Sequence, residues 1–160
     1  MIETRNTIIK MLHEHMGIPV IAGNNTQNRK EYPFVDYSII TLVQFDGQGN
    51  EVIEGLELDI KNTLELQPKL SISFNAYSRN ETEAYETAKM VSNYFRHIGH
   101  DELGWSGVVV VDVMDIMNRT ILEVDKYEFR YGLDVMFRFR DDIIRIDREI
   151  LDYTIKENEE

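Results

Sequence analysis

The fold is decided by one stretch of the chain, which reads Tyr127-Glu128-Phe129-Arg130-Tyr131-Gly132-Leu133-Asp134-Val135-Met136-Phe137-Arg138-Phe139. Every odd position is apolar and the positions between are mostly charged or small, which is the period-2 pattern of a strand buried on one face. At about 3.4 Å per residue such a strand extends roughly 40 Å, whereas a typical strand has roughly five or six residues. The pattern therefore predicts either a sheet that curls or a strand that projects beyond its core to meet another chain.

Two helices are predicted from apolar residues at helical spacing. The first covers residues 3–16 and ends at Gly17. The second follows Asn80 and Glu83, which resemble a capping box with Asn in place of Ser or Thr, and ends near Gly99. Small alanines at its centre would let this helix lie close against a sheet.

Further strands are predicted before the long one. Residues 34–45 are rich in β-branched and aromatic side chains, and the turn residues 46–50 that follow predict a hairpin whose return strand begins at Val52. Residues 70–76 alternate cleanly, whereas residues 108–113 are apolar on both faces and predict a central strand. A brief strand is expected at residues 18–21, and exposed loops at residues 23–31 and 100–107.

The chain is predicted to form one domain over residues 1–140 and a C-terminal arm over residues 141–160. The arm fits either a helix or an alternating strand, because its isoleucines satisfy both periods. Its last residues, 156–160, are expected to be frayed.

Composition excludes several classes of protein. The 160 residues include no cysteine, so neither a disulfide framework nor a thiolate metal site can form. The first residues lack the features of a signal peptide and no apolar run has membrane-spanning length, so we expect a soluble, intracellular protein that does not contact a membrane. The net charge of −12 repels nucleic acid. Residues 119–148 are balanced, with seven basic and seven acidic side chains, and this Arg-bearing stretch either contacts an acidic neighbouring copy or is an ordinary solvated face.

No convincing active site emerges. His97, His100, Asp101 and Glu102 are the densest set of possible metal ligands, but their spacing is loose and residues at a helix end are usually solvated. Asp112, inside an apolar strand, would need a partner such as Arg119 or Arg130 if it were buried.

Trp105 is the single tryptophan and is predicted to lie in a loop. Such a tryptophan either caps the edge of a core or contacts a partner, since tryptophan is enriched among interface hot spots.

The order of several motifs resembles that of phage neck and tail terminator proteins. These motifs are Tyr32-Pro33-Phe34-Val35-Asp36-Tyr37, Ser73-Phe74-Asn75-Ala76-Tyr77-Ser78 before the Glu83-Ala84 helix, Gly107-Val108-Val109-Val110-Val111-Asp112-Val113, Asn118-Arg119-Thr120 and Tyr127-Glu128-Phe129-Arg130-Tyr131-Gly132-Leu133-Asp134-Val135. The resemblance covers most of residues 30–140 and lies in structural rather than catalytic residues.

The resemblance implies an α+β subunit. Together with the elements predicted above, this gives a mainly antiparallel sheet of about four to six strands packed by two helices, with a C-terminal arm. It implies a structural virion protein, not an enzyme, without cofactor, metal or catalytic residues. Such subunits form a ring, usually of six copies, at the head-proximal end of the tail. The ring ends polymerisation of the tail tube protein, receives the head-tail connector protein and lets DNA pass through its lumen without specific binding. We therefore expect the protein in the host cytoplasm during assembly and afterwards in the neck of the virion.

Contacts between subunits or with partners are expected at three places. The candidate residues are Arg130, Arg138 and Arg140 on and after the long strand, Asp46, Gln48 and Asn50 in the turn, and Asn25 and Arg29 in the asparagine-rich loop. Two alternatives stay open at this point. One is another neck component, such as a head completion or connector protein, and the other is a small cytoplasmic metal-dependent hydrolase that uses the His97–Glu102 cluster.

Overall fold

The computed structural model describes residues 2–23, 31–45, 47–55, 59–123 and 126–148. These residues form three α-helices, one π-helix and ten strands. The helices are α1 (Ile2–Met16), α2 (Glu81–Asn93), the π-helix (Tyr94–Ile98) and α3 (His100–Trp105). The strands are β1 (Val20–Ala22), β2 (Phe34–Gln44), β3 (Asn50–Gly55), β4 (Asp59–Leu66), β5 (Lys69–Ser78), β6 (Val108–Val113), β7 (Met117–Asn118), β8 (Ile121–Glu123), β9 (Lys126–Phe139) and β10 (Asp141–Arg148).

The predicted α+β class with a mainly antiparallel sheet is confirmed. The main sheet has seven strands, and its principal path runs β1-β2-β5-β9-β6, with β7 and β8 also paired to β9. Only the short β1–β2 pair is parallel among the described strands. A second sheet has the order β10-β4-β3.

The long strand β9 holds the main sheet together. It pairs with β5 along one side, from Lys69 opposite Arg138 to Ser78 opposite Phe129, and with β6, β7 and β8 along the other. Its odd positions Leu133, Val135, Phe137 and Phe139 are buried, as the alternation predicts. One face of β9 therefore belongs to the core.

The helices cover that face of the main sheet. Buried side chains of α1, α2, the π-helix and α3 pack in one cluster with the inward residues of β5 and β9. The predicted first helix is confirmed, and Gly17 follows it at φ +65°, a conformation that glycine adopts without strain. Asn80 caps α2 by accepting a hydrogen bond from Glu83 N at 3.1 Å. The second predicted helix is α2 together with the π-helix.

Residues 108–113 form a strand as predicted, but its predicted place at the centre of the sheet is wrong, and the loop predicted at residues 100–107 is wrong for residues 100–105. Residues 108–113 form β6, which ends the principal path of the sheet instead of lying at its centre, and Val109 and Val111 are exposed. The apolar run resembles a central strand because its inward residues pack on the core while its outward ones are still valine. Residues 100–105 form the short helix α3 instead of a loop, because Leu103 is buried in the core.

The predicted hairpin after residue 45 is also wrong. β2 pairs with β1 and β5, whereas β3 pairs with β4. Turn residues favour a reversal of the chain, but they do not choose the partner strand. The chain forms two compact units: the first contains residues 1–46 and 67–140, and the second contains residues 47–66 and 141–160. Residues 141–148 of the predicted arm form the strand β10, which decides between helix and strand for that part of the arm.

Candidate assembly surfaces

The second sheet exposes apolar side chains on both of its faces. The pairing register places five apolar side chains on one face, which we call the isoleucine face and which consists of Ile53, Ile60, Leu64, Leu66 and Ile143. Ile53 and Ile143 are 66% and 55% exposed. Leu64 and Leu66 are half-buried and Gly49 lies against both, so the exposed apolar part of this face is formed by its three isoleucines.

The opposite face of the second sheet, which we call the lysine face, is more polar. It carries Ile144 and Ile146 beside an ion pair in which Lys61 Nζ lies 3.0 Å from Glu54 Oε2. Asn50 donates a hydrogen bond to Glu65 on the same face at 3.2 Å. The isoleucine face also carries polar pairs, Asn62 with Glu51 and Arg145 with Asp147, so the two faces differ mainly in the number of apolar side chains.

The structure describes only some of the turn and loop residues that were predicted as contacts. Gln48 and Asn50 are exposed, and Asn50 begins β3. Asp46, Asn25 and Arg29 lie outside the described residues.

Arg138 lies on the outer face of the main sheet with an unsatisfied donor. Its Nε is buried, and within the described part of the chain no acceptor reaches it. Arg138 stands opposite Lys69 on β5 and opposite Val109 on β6. It also lines a pocket of about 310 Å³, together with Gln67, Gly107, Val109, Phe139 and Arg140. A buried cationic donor beside a pocket and a second basic side chain favours an anionic acceptor in that pocket.

Arg130 and Arg140 differ from Arg138 in their surroundings. The Arg130 guanidinium lies over the ring of Tyr77, 5.4 Å from its centroid, although its Nε is buried without an acceptor in the described residues. Arg140 follows β9, is exposed, and lines the same pocket as Arg138. The three arginines named from the sequence are therefore not equivalent, and Arg138 and Arg140 lie together.

A polar network fixes the outer face of the main sheet. Arg119 donates to Ser73 Oγ at 2.6 Å, to Asn75 Oδ1 at 2.9 Å and to Asp134 Oδ1 at 2.9 Å. Asn75 in turn donates to Asp36 at 2.8 Å. Gly132 makes room for this arrangement, since a Cβ there would stand 2.9 Å from Arg119 Nη1. The network spans β2, β5 and β9 and makes this face a rigid scaffold.

Tyr77 closes the network at its Asp36 end. Its hydroxyl donates to Asp36 Oδ2 at 3.0 Å. Burial raises the pKa of the Tyr77 hydroxyl well above its usual range, and the nearby Asp36 carboxylate adds to that rise. The hydroxyl therefore stays protonated and remains a donor.

The residues considered for chemistry are not brought together. Asp112 is exposed, so it needs no buried partner, and Arg119 pairs with Asp134 instead. His97 lies on the π-helix and His100 on α3, where His100 Nδ1 is 3.7 Å from Asp101 Oδ1. Among the described residues, no three His, Asp or Glu side chains are grouped as metal ligands.

Trp105 is 87% exposed, so of its two interpretations the capping of a core edge is wrong and contact with a partner stays a prediction. It ends α3, whose buried contact with the core is made by Leu103 instead. The sequence pattern missed the isoleucine face. A signal for this face was present, since Ile143, Ile144 and Ile146 fit no single buried face.

The fold is α+β, and it exposes apolar side chains on the second sheet and at Trp105, as is typical of proteins that contact a partner. The chain matches the family described as "Phage neck terminator protein" over residues 6–159. It belongs to this family, which confirms the resemblance seen in the sequence. It is therefore a structural protein of the phage neck and a part of the virion. In the neck it contacts other head or tail components. No curated protein matches the chain. None of the described helices has the length and apolar character needed to cross a membrane.

Proposed function

We propose that this protein forms a ring, of six copies, at the head-proximal end of the phage tail. The ring ends polymerisation of the tail tube and offers the head-tail connector a docking surface. The observation that carries the proposal is the match to the neck terminator family over residues 6–159. The exposed isoleucine face supports it, because an apolar sheet face is stable when a partner covers it.

The contacts in this ring involve the arginines on β9, Arg140 directly after it, and the start of β3. Arg138 lacks an acceptor among the described residues, and a neighbouring copy with net charge −12 presents many carboxylates. Arg140 adds a second positive charge at the same pocket. Arg130, Gln48 and Asn50, and the turn and loop residues Asp46, Asn25 and Arg29, are proposed as further contacts.

The net charge also suits a channel for DNA. Acidic subunits repel phosphates, so DNA passes through the lumen without specific binding. The partners proposed are thus further copies of this chain, the tail tube protein and the connector protein.

Electron microscopy of the purified protein, alone and with tail tube protein, tests the proposal. We expect rings of uniform diameter, a six-fold average, and tubes whose length no longer grows once the protein is added. Strict monomers at every concentration, with tubes that keep growing, would contradict it. Rings that bind only the connector and leave tube growth unchanged would assign the protein to another neck position.

Charge reversal tests the arginine contacts separately. Arg138→Glu is expected to weaken ring formation about tenfold or more, since it removes a desolvated cation from an interface. Lys89→Glu, on the exposed surface of α2, is the matched control and is expected to leave ring formation unchanged. Normal rings in Arg138→Glu would remove this residue from the interface.

A further inference from the structure

Trp105 and an apolar groove lie at elements that stand at opposite ends of the main sheet's path. The indole is 87% exposed, although tryptophan is highly buried on average and dominates interfaces where it occurs. It stands at the end of α3, whose neighbour β6 ends the principal path of the main sheet.

The groove lies at the opposite end of that path. It has a volume of about 550 Å³ and is formed between α1 and β1, with an apolar lining that includes Ile9, Pro19, Ile21 and Tyr37. Lys10 and His13 complete its wall, and the His13 ring is held by a 3.0 Å contact between Nδ1 and Ile18 O. This volume is within the range of sites that enclose a small-molecule-sized group.

Trp105 does not line the groove of its own chain. The path β1-β2-β5-β9-β6 has four strand spacings, which at about 4.8 Å each put β1 and β6 roughly 19 Å apart. The occupant must therefore come from another molecule. A ring requires a heterologous contact, in which two different patches of one chain meet, and an apolar projection at one end of a sheet with an apolar groove at the other satisfies that requirement.

The charges beside the two patches are complementary. Asp101 and Glu102 lie on α3, within four residues of Trp105, and both are exposed. Lys10 lines the groove, and its only charged neighbour among the described residues is Glu14 at 3.9 Å, in a pair whose side chains are 74% and 59% exposed. Such an exposed pair contributes little, so Lys10 remains available to a second acidic group.

We propose that Trp105 of one copy inserts into the groove between α1 and β1 of the next copy, with Asp101 and Glu102 against Lys10. This inference rests on the proposed ring, and it names the contact that closes it. A second copy of this chain is the proposed occupant because its α3 carries the indole and the two carboxylates together.

The absence of cysteine makes a direct test possible. Gly104→Cys places a thiol beside Trp105, where a Cβ meets open space, and Asn6→Cys places one on the exposed wall of the groove. With a short bis-maleimide, the double variant is expected to give a ladder of covalent species that ends at the ring number. Each single variant is expected to give no ladder. A covalent dimer from Gly104→Cys alone would show a symmetric contact between two Trp105 side chains and would overturn the proposal.

The single tryptophan also reports its own burial. We expect its fluorescence to shift to the blue and to resist acrylamide quenching when rings form, and Trp105→Ala to weaken association about 30-fold or more, as for an interface hot spot. Met90→Ala, on the exposed side of α2, is the control. If rings form while Trp105 stays fully quenchable and Trp105→Ala rings are normal, this inference fails and the proposed function stands. If no rings form under any condition, both fail.

A charge swap checks the pairing. Lys10→Glu alone, and Asp101→Lys with Glu102→Lys, are each expected to weaken ring formation, whereas the three substitutions together are expected to restore it. Failure of the combined variant to recover, with all variants folded by circular dichroism, would contradict the pairing of these groups.

Discussion

Tyr94 carries a buried hydroxyl that has no hydrogen-bond partner among the described residues. Its ring is 1% exposed and stacks on His15 at 4.8 Å between centroids. Burial raises the pKa of the hydroxyl to about 12, and the carboxylates of Glu102 and Glu14 add to the rise. Removing an unsatisfied hydroxyl costs no hydrogen bond, so Tyr94→Phe is expected to raise the free energy of unfolding by roughly 1 kcal/mol at neutral pH.

The same substitution is expected to change how the free energy of unfolding depends on pH in the alkaline range. The unfolded chain ionises tyrosine near pH 10, whereas folded Tyr94 holds its proton to about pH 12, so the unfolded state binds fewer protons between these values and stability falls as pH rises. Urea unfolding from pH 7 to 11.5 should show a shallower fall in Tyr94→Phe than in the wild type. Tyr85→Phe, whose side chain is 41% exposed, is the control. An unchanged slope in Tyr94→Phe would contradict the role given to this hydroxyl.

Gly132 is required by the space it leaves rather than by its backbone angles. A Cβ there would collide with Asn75 Oδ1 and would lie 2.9 Å from the carbonyl oxygen of Phe74. We expect Gly132→Ala to lower the free energy of unfolding by about 1 to 3 kcal/mol, because the Arg119 network must shift. Gly55→Ala, where a Cβ meets nothing within 4 Å, should change stability far less in the same urea titration. Equal losses at the two positions would argue against a spatial requirement at Gly132.

At the scale of one element, β10 offers a test of which face of the second sheet the proposed assembly covers. Ile143 belongs to the isoleucine face and Ile144 to the lysine face, at 55% and 57% exposure, so the two positions form a matched pair. Ile143→Lys is expected to abolish association at concentrations where Ile144→Lys still assembles, because charge is costly only where water is excluded. Sedimentation of both variants measures this difference. Equal behaviour of the two variants would mean that this sheet is covered on both faces or on neither.

Periodicity predicted the elements whose two faces differ in kind. β5 and β9 were found because one face is buried and the other is polar, and α1 and α2 because their apolar stripes are regular. It failed where the faces are alike. β6 carries valine outward as well as inward, so its place at the end of the sheet path could not be read from its own residues. The partner of β2 was missed because pairing depends on contacts that are distant in the chain.

The candidate surfaces were predictable only in part for the same reason. Arg138 and Arg140 could be named because they stand on and after a strand whose faces were known. For Trp105 two interpretations stayed open, because α3 has a single buried residue, Leu103, and so short a helix shows no period. The groove between α1 and β1 is formed by residues whose spacing in the sequence carries no common pattern.

At the scale of the whole molecule, charge sets the condition for assembly. Each copy carries −12, so copies brought into a ring repel one another at long range, while the proposed contacts of Arg138 and Lys10 act at short range. Salt shortens the screening length from about 30 Å at 0.01 M to about 10 Å at 0.1 M, which weakens long-range repulsion more than close or desolvated pairs.

Ring formation is therefore expected to increase with ionic strength between about 0.01 and 0.1 M, which spans that range of screening lengths. Mass photometry at fixed protein concentration measures the ring fraction directly, with sodium chloride as the variable. Arg138→Glu makes each copy more negative by two charges, so its deficit should be largest at the lowest salt and should shrink as salt rises. A ring fraction that falls with salt in the wild type would instead mean that local attraction between opposite charges outweighs the repulsion between acidic copies, since screening weakens both and lowers the ring fraction only where it weakens the attraction more.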